Sequence, residues 1–85
     1  MYQLTIQCGK QPDVLERVLR VIRHRGFSLD SLGMRKSSHP QQMELTIDVS
    51  GIRPLGLLTT QLEKLYDVIL LEEVEASINI HSQGL

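Results

Sequence analysis

The chain has 85 residues and a net charge of −1, from nine Lys and Arg against ten Asp and Glu, which indicates one small domain and argues against generic nucleic-acid binding. A domain of this size buries only about two-thirds or less of its unfolded surface, so association with another chain is expected. The single cysteine, Cys8, excludes an internal disulfide, no apolar run approaches the ~20 residues of a membrane helix, and the N-terminus lacks a secretory signal, so we expect a soluble cytoplasmic protein with no membrane contact.

The first two predicted elements are a strand and a helix. Apolar residues alternate with polar ones from Tyr2 to Cys8, which indicates a half-buried strand. From Val14 onward the period changes, and the apolar residues fall on one arc of roughly 160° of a helical wheel. That arc holds Val14, Leu15, Val18, Leu19, Val21 and Ile22. The opposite side is charged, so the helix is expected to bury one face against the sheet.

Both ends of this helix carry sequence signals. Pro12 suits the first helical turn, and Asp13 with Glu16 has the spacing of an Asp variant of the capping box. Gly26 fits the left-handed residue that commonly ends a helix. We therefore expect Asp13 to be the N-cap, with its carboxylate on the free backbone N–H groups.

The segment after the helix predicts a second strand with an irregularity. Phe27 and Leu29 share one alternating phase, whereas Leu32 and Met34 share the other. A bulge or a bend near residues 30–31 would place all four side chains on one face.

Three further elements complete the pattern. Residues 43–50 alternate as a third strand, and Pro54 opens a second helix whose apolar stripe comprises Leu55, Leu58, Leu62, Leu65 and Tyr66. A last strand is predicted over residues 73–80, with alternating Val74, Ala76, Ile78 and Ile80. The order βαββαβ predicts an α+β, ferredoxin-like fold: a four-stranded antiparallel sheet, first and third strands central, with both helices on one face. We expect a single domain over residues 1–85, with its core at about 2–81.

No residue pattern indicates catalysis or metal binding. Cys8 lies on the apolar phase of the first strand and is interpreted as a buried packing thiol. The three histidines have no metal-ligand spacing: His24, His39 and His81. The acidic cluster is interpreted as a solvated edge: Glu72, Glu73 and Glu75.

Two other protein classes share this architecture, but this sequence lacks residues that their functions need. RNA-binding domains stack bases on aromatic side chains of the central strands, but the third strand here has no aromatic residue. Acylphosphatases need an arginine in the loop before the first helix and an asparagine that positions water. This loop has Lys10 and no arginine, and the sole asparagine is Asn79 in the last predicted strand.

The turn before the first helix is the candidate ligand site. Free N–H groups at a helix N-terminus favour an anion such as a carboxylate. The candidate residues are Lys10, Gln11, Pro12, Asp13, Val14 and Leu15. The Asp13 carboxylate argues against an anion there, so a simple N-cap is the stronger interpretation.

The run PDVLERVLRVIRHRGFSLDSLGM, with MELTIDVS and QLEKLYDV further on, resembles ACT domains, and among them the small subunits of acetolactate synthase, most closely the short isozyme II type. The similarity extends from Leu4 to about Ile80. It implies a non-catalytic subunit that binds and activates a large catalytic subunit in branched-chain amino acid biosynthesis (isoleucine and valine), and a homodimer. No cofactor is implied for this chain, whereas the large subunit is implied to carry thiamine diphosphate, Mg²⁺ and FAD.

The chain departs from the valine-responsive pattern of that family at two positions. Those members usually have Asn in place of Lys10 and Gly in place of Asp13. A carboxylate at residue 13 would repel an amino-acid ligand by on the order of 1–4 kcal/mol, so weak or no valine feedback is expected. We also expect the C-terminal domain of longer members to be missing. The alternative is a stand-alone ACT-type sensor that binds an amino acid at a dimer interface.

The charged face of the first helix is the candidate partner surface. Arg17, Arg20 and Arg23 are predicted to face outward, where they are either simply solvated or dock on an acidic surface of the large subunit. Leu57 lies away from the apolar stripe of the second helix and is a further candidate contact. Nucleic-acid binding is not expected, because three arginines on a chain of net charge −1 make a poor phosphate track.

Overall fold

A computed structural model describes residues 1–74 and has the predicted element order. The strands are β1 (Tyr2–Gly9), β2 (Ser28–Lys36), β3 (Gln42–Ser50) and β4 (Val68–Val74), and the helices are α1 (Val14–His24) and α2 (Leu55–Glu63). Within these residues, no helix has the length and apolar content needed to cross a membrane.

The four strands form one antiparallel sheet in the order β2-β3-β1-β4. The expected central position of β1 and β3 is therefore confirmed. The predicted irregularity in β2 is also confirmed, because the β2–β3 register shifts between Leu29 and Ser31. As a result, Leu29, Leu32 and Met34 pair with β3 residues that face the helices.

The core lies between the helices and one face of the sheet. Every second residue of β1 and β3 is buried there, as the alternation predicts: Leu4, Ile6, Cys8, Met43, Leu45, Ile47 and Val49. One stripe from each helix covers them, namely Val14, Val18 and Ile22 of α1 with Leu58 and Leu62 of α2. The i, i+4 spacing of these stripes gives each helix one apolar face to bury on the sheet, and right-handed crossover connections place both helices on the same side.

The C-terminal end of α1 matches its prediction. Gly26 has a φ of 83°, and its N–H donates to the carbonyl of Arg23, while the N–H of Phe27 donates to the carbonyl of Ile22. This pair of hydrogen bonds is the Schellman arrangement, with the buried Phe27 side chain brought back to the core beside Ile22.

The predicted capping box at the N-terminal end is wrong. Asp13 is the N-cap residue, but its side chain makes no capping hydrogen bond. Its carboxylate instead lies 3.2 Å from Nη2 of Arg17, one turn further along the helix. The Asp13 carboxylate therefore pairs with a charged side chain at i+4 in place of the backbone donors of the first turn.

Two boundaries near the end of the described chain differ from the predictions. α2 ends at Glu63, so Tyr66 is not part of its stripe and is almost fully exposed. β4 begins at Val68, five residues before the predicted strand start, because the N–H of Gly9 donates to the carbonyl of Asp67 and starts the pairing with β1. Residues 75–80 of the predicted last strand, which include Glu75 and Asn79, lie outside the described residues. His81 lies outside them as well.

Candidate functional site

The turn between β1 and α1 is open and lies on the surface. The residues from Lys10 to Asp13 are exposed, whereas Val14 is buried and Leu15 is half-buried. The backbone N–H of Lys10 donates to the carbonyl of Gln41, 2.9 Å away. The turn therefore offers side chains of residues 10–13 to a ligand, and the Val14 side chain belongs to the core.

An ion-pair network occupies the N-terminal end of α1. The Arg17 guanidinium pairs with both Asp13 and Asp67, and the Asp67 side chain is only 11% exposed. Arg17 is therefore half-buried, contrary to the expectation that it faces outward with Arg20 and Arg23. Sequence reasoning missed Asp67 because it lies 50 residues further along the chain, and no local pattern connects the two.

A cationic cleft of about 230 Å³ lies beside this turn. It is lined by Lys10, Met34, Arg35, Lys36 and Met43. Arg35 is already paired with Glu44, whose Oε1 accepts from Nη2 at 2.6 Å and from Nε at 3.0 Å. Lys10 and Lys36 are thus the cations left to meet a ligand carboxylate, above two methionine side chains.

The exposed arginines of α1 line clefts on both sides of the helix. Arg23 borders a cleft of about 320 Å³ that is otherwise lined by Leu19, Ile22, Phe27, Ser28 and Leu29. Arg20 borders a second cleft, of about 190 Å³, lined also by Val21, His24, Arg25 and Gln61. We name this second one the interhelical cleft, because Gln61 belongs to α2. Leu57, the other candidate contact, is 48% exposed.

The edge strand β2 has an exposed apolar row on the helix side of the sheet. Leu29, Leu32 and Met34 are 39%, 37% and 56% exposed. β2 has a paired neighbour on one side only, so the backbone groups of its free edge lack strand partners within residues 1–74. An edge strand with apolar side chains is a template for pairing with another strand.

The face of the sheet opposite the helices is polar. Its central positions are half-buried polar residues: Gln3, Thr5, Gln7, Glu44, Thr46 and Asp48. Neither β1 nor β3 presents an aromatic side chain on this face, since Tyr2 pairs with Val49 on the core side. The surface on which an RNA-binding domain of this architecture would stack bases is therefore absent from the described sheet.

The Cys8 thiol and the grouping of possible metal ligands bear on whether the described residues could do chemistry. Cys8 is fully buried, as predicted, and burial raises the pKa of its thiol, with a further increase from the nearby Asp67 carboxylate. Between residues 1 and 74, no three His, Cys, Asp or Glu side chains group in a way that could hold a metal ion. A buried thiol kept neutral is a poor nucleophile.

Comparison with known proteins identifies relatives of this chain. The ACT domain family matches residues 10–70. The acetolactate synthase isozyme 2 small subunit of Escherichia coli K12 is 42% identical over 67 residues, which are 79% of this chain and 77% of that protein. The acetolactate synthase small subunit of Mycobacterium avium is 35% identical over 75 residues, 87% of this chain but 45% of that protein. The crystal structure of an acetolactate synthase small subunit from Thermotoga maritima has the same fold, with a TM-score of 0.78 and 23% identity over 87% of this chain and 47% of that one.

Proposed function

Because this chain belongs to the ACT-domain family of acetolactate synthase small subunits, we propose that it is a non-catalytic subunit that binds and activates a catalytic large subunit in branched-chain amino acid biosynthesis. The observation that carries this proposal is the 42% identity to a small subunit over 79% of the chain. Thiamine diphosphate, Mg²⁺ and FAD belong, in this proposal, to the large subunit. The burial of Cys8 argues against a thiol nucleophile at that position.

Activation is proposed to act through a shift of conformational population. A subunit that binds the active form of the large subunit more tightly than the inactive form increases the population of the active form. This mechanism requires only a binding surface on this chain.

The functional unit is proposed to be a homodimer that forms through the free edge of β2. Antiparallel pairing of two β2 strands would satisfy the backbone groups of both edges and extend the sheet to eight strands. It would also bury the row of Leu29, Leu32 and Met34 of both copies against each other. These features support the homodimer expected from the small size of the domain.

Valine feedback is proposed to be weak or absent. Two carboxylates, Asp13 and Asp67, share one guanidinium at the N-terminal end of α1, so the three side chains together carry a net charge of −1. That charge opposes an amino-acid carboxylate approaching the free N–H groups of the helix. Calorimetric titration of the isolated protein with valine is expected to give no micromolar binding.

One observation supports the alternative of a stand-alone amino-acid sensor. The cleft of Lys10, Lys36 and two methionines has the cationic and apolar groups that an amino acid with an apolar side chain needs. Micromolar affinity for such an amino acid, without any association with a large subunit, would favour this alternative.

Co-purification tests the proposal directly. A tagged acetolactate synthase large subunit from the same genome is expressed together with this chain and purified through the tag. We expect the two chains to elute as one complex in gel filtration. A chain with Leu45→Asp, which places a charge in the core and is expected to unfold the domain, controls for nonspecific capture. Separate elution of the folded wild-type chain would contradict the proposal.

A further inference from the structure

The arginines of this protein differ in whether they form ion pairs. Of the six arginines, Arg17 and Arg35 form ion pairs, whereas Arg20, Arg23, Arg25 and Arg53 form none within residues 1–74. The four unpaired guanidinium groups lie in the C-terminal half of α1, at its C-cap and in the loop before α2. A chain of net charge −1 thus presents a local positive surface.

Tertiary structure, and not the helix alone, builds this surface. Cations in the last turn of a helix are favoured by the helix dipole, which is a sufficient reason for Arg23 and His24. Arg53 belongs to another segment, yet its Nε lies 3.1 Å from the position that a Cβ on Gly26 would take. The N-terminal end of α2 is therefore adjacent to the C-terminal end of α1, and Arg53 adds its charge there.

The interhelical cleft lies along this surface. Its lining residues include three that can carry positive charge, Arg20, His24 and Arg25, and no acidic residue. Val21 contributes an apolar group, and Gln61 forms the α2 side. Leu57 precedes Gln61 by four residues on α2 and therefore continues the same side toward Arg53. The cleft combines cationic rims with apolar contact area.

The size and position of the cleft restrict what can bind. At about 190 Å³, the cleft holds one or two amino-acid side chains and is smaller than the ~300–1,000 Å³ of pockets for drug-sized ligands. The cleft is bordered by both helices and by no residue of β2, so it stays accessible when two copies pair through their β2 edges. Four arginines concentrated at one end of the helix layer form no extended track for a nucleic-acid backbone.

We propose that the interhelical cleft binds an acidic segment of the catalytic large subunit, an inference that rests on the proposed function. Carboxylates of that segment pair with Arg20 and Arg25, and an apolar side chain between them packs on Val21 and Leu57. Planar guanidinium groups suit such paired recognition of carboxylates. This assignment replaces Arg17, which is already neutralised, with Arg25 as a contact to the large subunit.

Titration of the large subunit with variants of the full chain tests this assignment. Pyruvate turnover is measured against the concentration of small subunit, for the wild type, for Arg20→Glu combined with Arg25→Glu, and for the control Lys64→Glu. Lys64 is an exposed cation at the end of α2 that does not line the cleft. We expect the double variant to raise the half-activating concentration at least tenfold and the control to change it less than twofold.

Hydrogen exchange of the wild-type complex provides a second test that does not depend on variants folding. Amides of residues 20–25 and 57–61 are expected to gain protection when the large subunit binds. Equal activation by wild type and the double variant, or no added protection at these segments, overturns the assignment while leaving the proposed function intact. A change in oligomeric state instead of activation would assign the cleft to a second copy, and a wild-type chain without effect on turnover overturns both proposals.

Discussion

Gly26 is the residue whose backbone conformation ends α1 and directs Phe27 into the core. Its φ of 83° is in the left-handed region, where a residue with a side chain is disfavoured by roughly 1–2 kcal/mol. We expect Gly26→Ala to lower the free energy of unfolding by about 1–2 kcal/mol, measured by urea denaturation.

Gly56→Ala is the matched control for that substitution. A Cβ at Gly56, in α2, meets no heavy atom within 4 Å, and alanine favours a helix over glycine by roughly 0.5–1 kcal/mol. We therefore expect opposite signs for the two changes. Equal destabilisation would show that the conformation of Gly26 is not what the stability depends on.

The buried thiol of Cys8 makes stability depend on alkaline pH. Burial, and then the Asp67 carboxylate, raise the pKa of Cys8 in the folded protein, so the unfolded chain releases the thiol proton first as the pH rises. The stabilising contribution is complete below about pH 8.5, the ordinary thiol pKa, and is lost as the pH rises through the higher pKa of the folded state.

Comparison with Cys8→Ala isolates this contribution from other groups that titrate in the same range. The difference in unfolding free energy between wild type and variant is expected to be constant from pH 6 to 8 and to shrink above about pH 8.5. A difference that stays constant up to pH 10.5 would contradict a raised thiol pKa.

The core residues and the thiol could be predicted from the sequence because they depend on local alternation. Leu4, Ile6 and Cys8 follow the two-residue period of a strand. The charged network could not be predicted in this way. The Asp13 carboxylate pairs with Arg17 instead of capping the helix, and Arg17 also pairs with Asp67. Only folding brings Arg17 and Asp67 together, so no local pattern predicts that ion pair.

At the scale of elements, Asp67 connects the start of β4 to both β1 and α1. Its backbone carbonyl accepts from Gly9 and its side chain from Arg17. Asp67→Asn keeps the shape but removes the charge. We expect it to lower the free energy of unfolding at pH 7 by about 1–2 kcal/mol, because one partner is mostly buried.

The pair of Arg35 with Glu44 is the comparison for that change. The Arg35 side chain is 78% exposed, so Glu44→Gln is expected to cost less than about 1 kcal/mol. If the two substitutions cost the same in urea denaturation, Asp67 does not hold these elements together through its charge.

The elements themselves were predictable to different degrees. β1, α1 and β3 have long, regular apolar periods, and the structure confirms them. The predictions of where α2 ends and β4 begins were wrong, because the apolar spacing of the helix continues in the sequence through Leu65 and Tyr66. The start of β4 is set by its pairing with β1 from Val68 onward. The spacing of apolar residues in the sequence does not indicate this tertiary contact.

At the scale of the whole molecule, the proposed homodimer depends on the free edge of β2. Leu32 lies in the middle of the exposed apolar row and is 37% exposed. We expect the wild type to sediment as two chains and Leu32→Glu to sediment as one, because a charge would be buried against its copy in the paired sheet.

Ile52→Glu controls for the added charge, since Ile52 is fully exposed and lies outside β2. It is expected to leave the dimer intact. A dimer that survives Leu32→Glu at micromolar concentration would place the interface elsewhere.

The most direct measurement of the central claim is pyruvate turnover by the purified acetolactate synthase large subunit as this chain is added. A subunit that stabilises the active form predicts a saturable rise in turnover, half complete at the concentration where half of the large subunit is bound. Turnover that stays unchanged while the two chains form a complex would contradict the account.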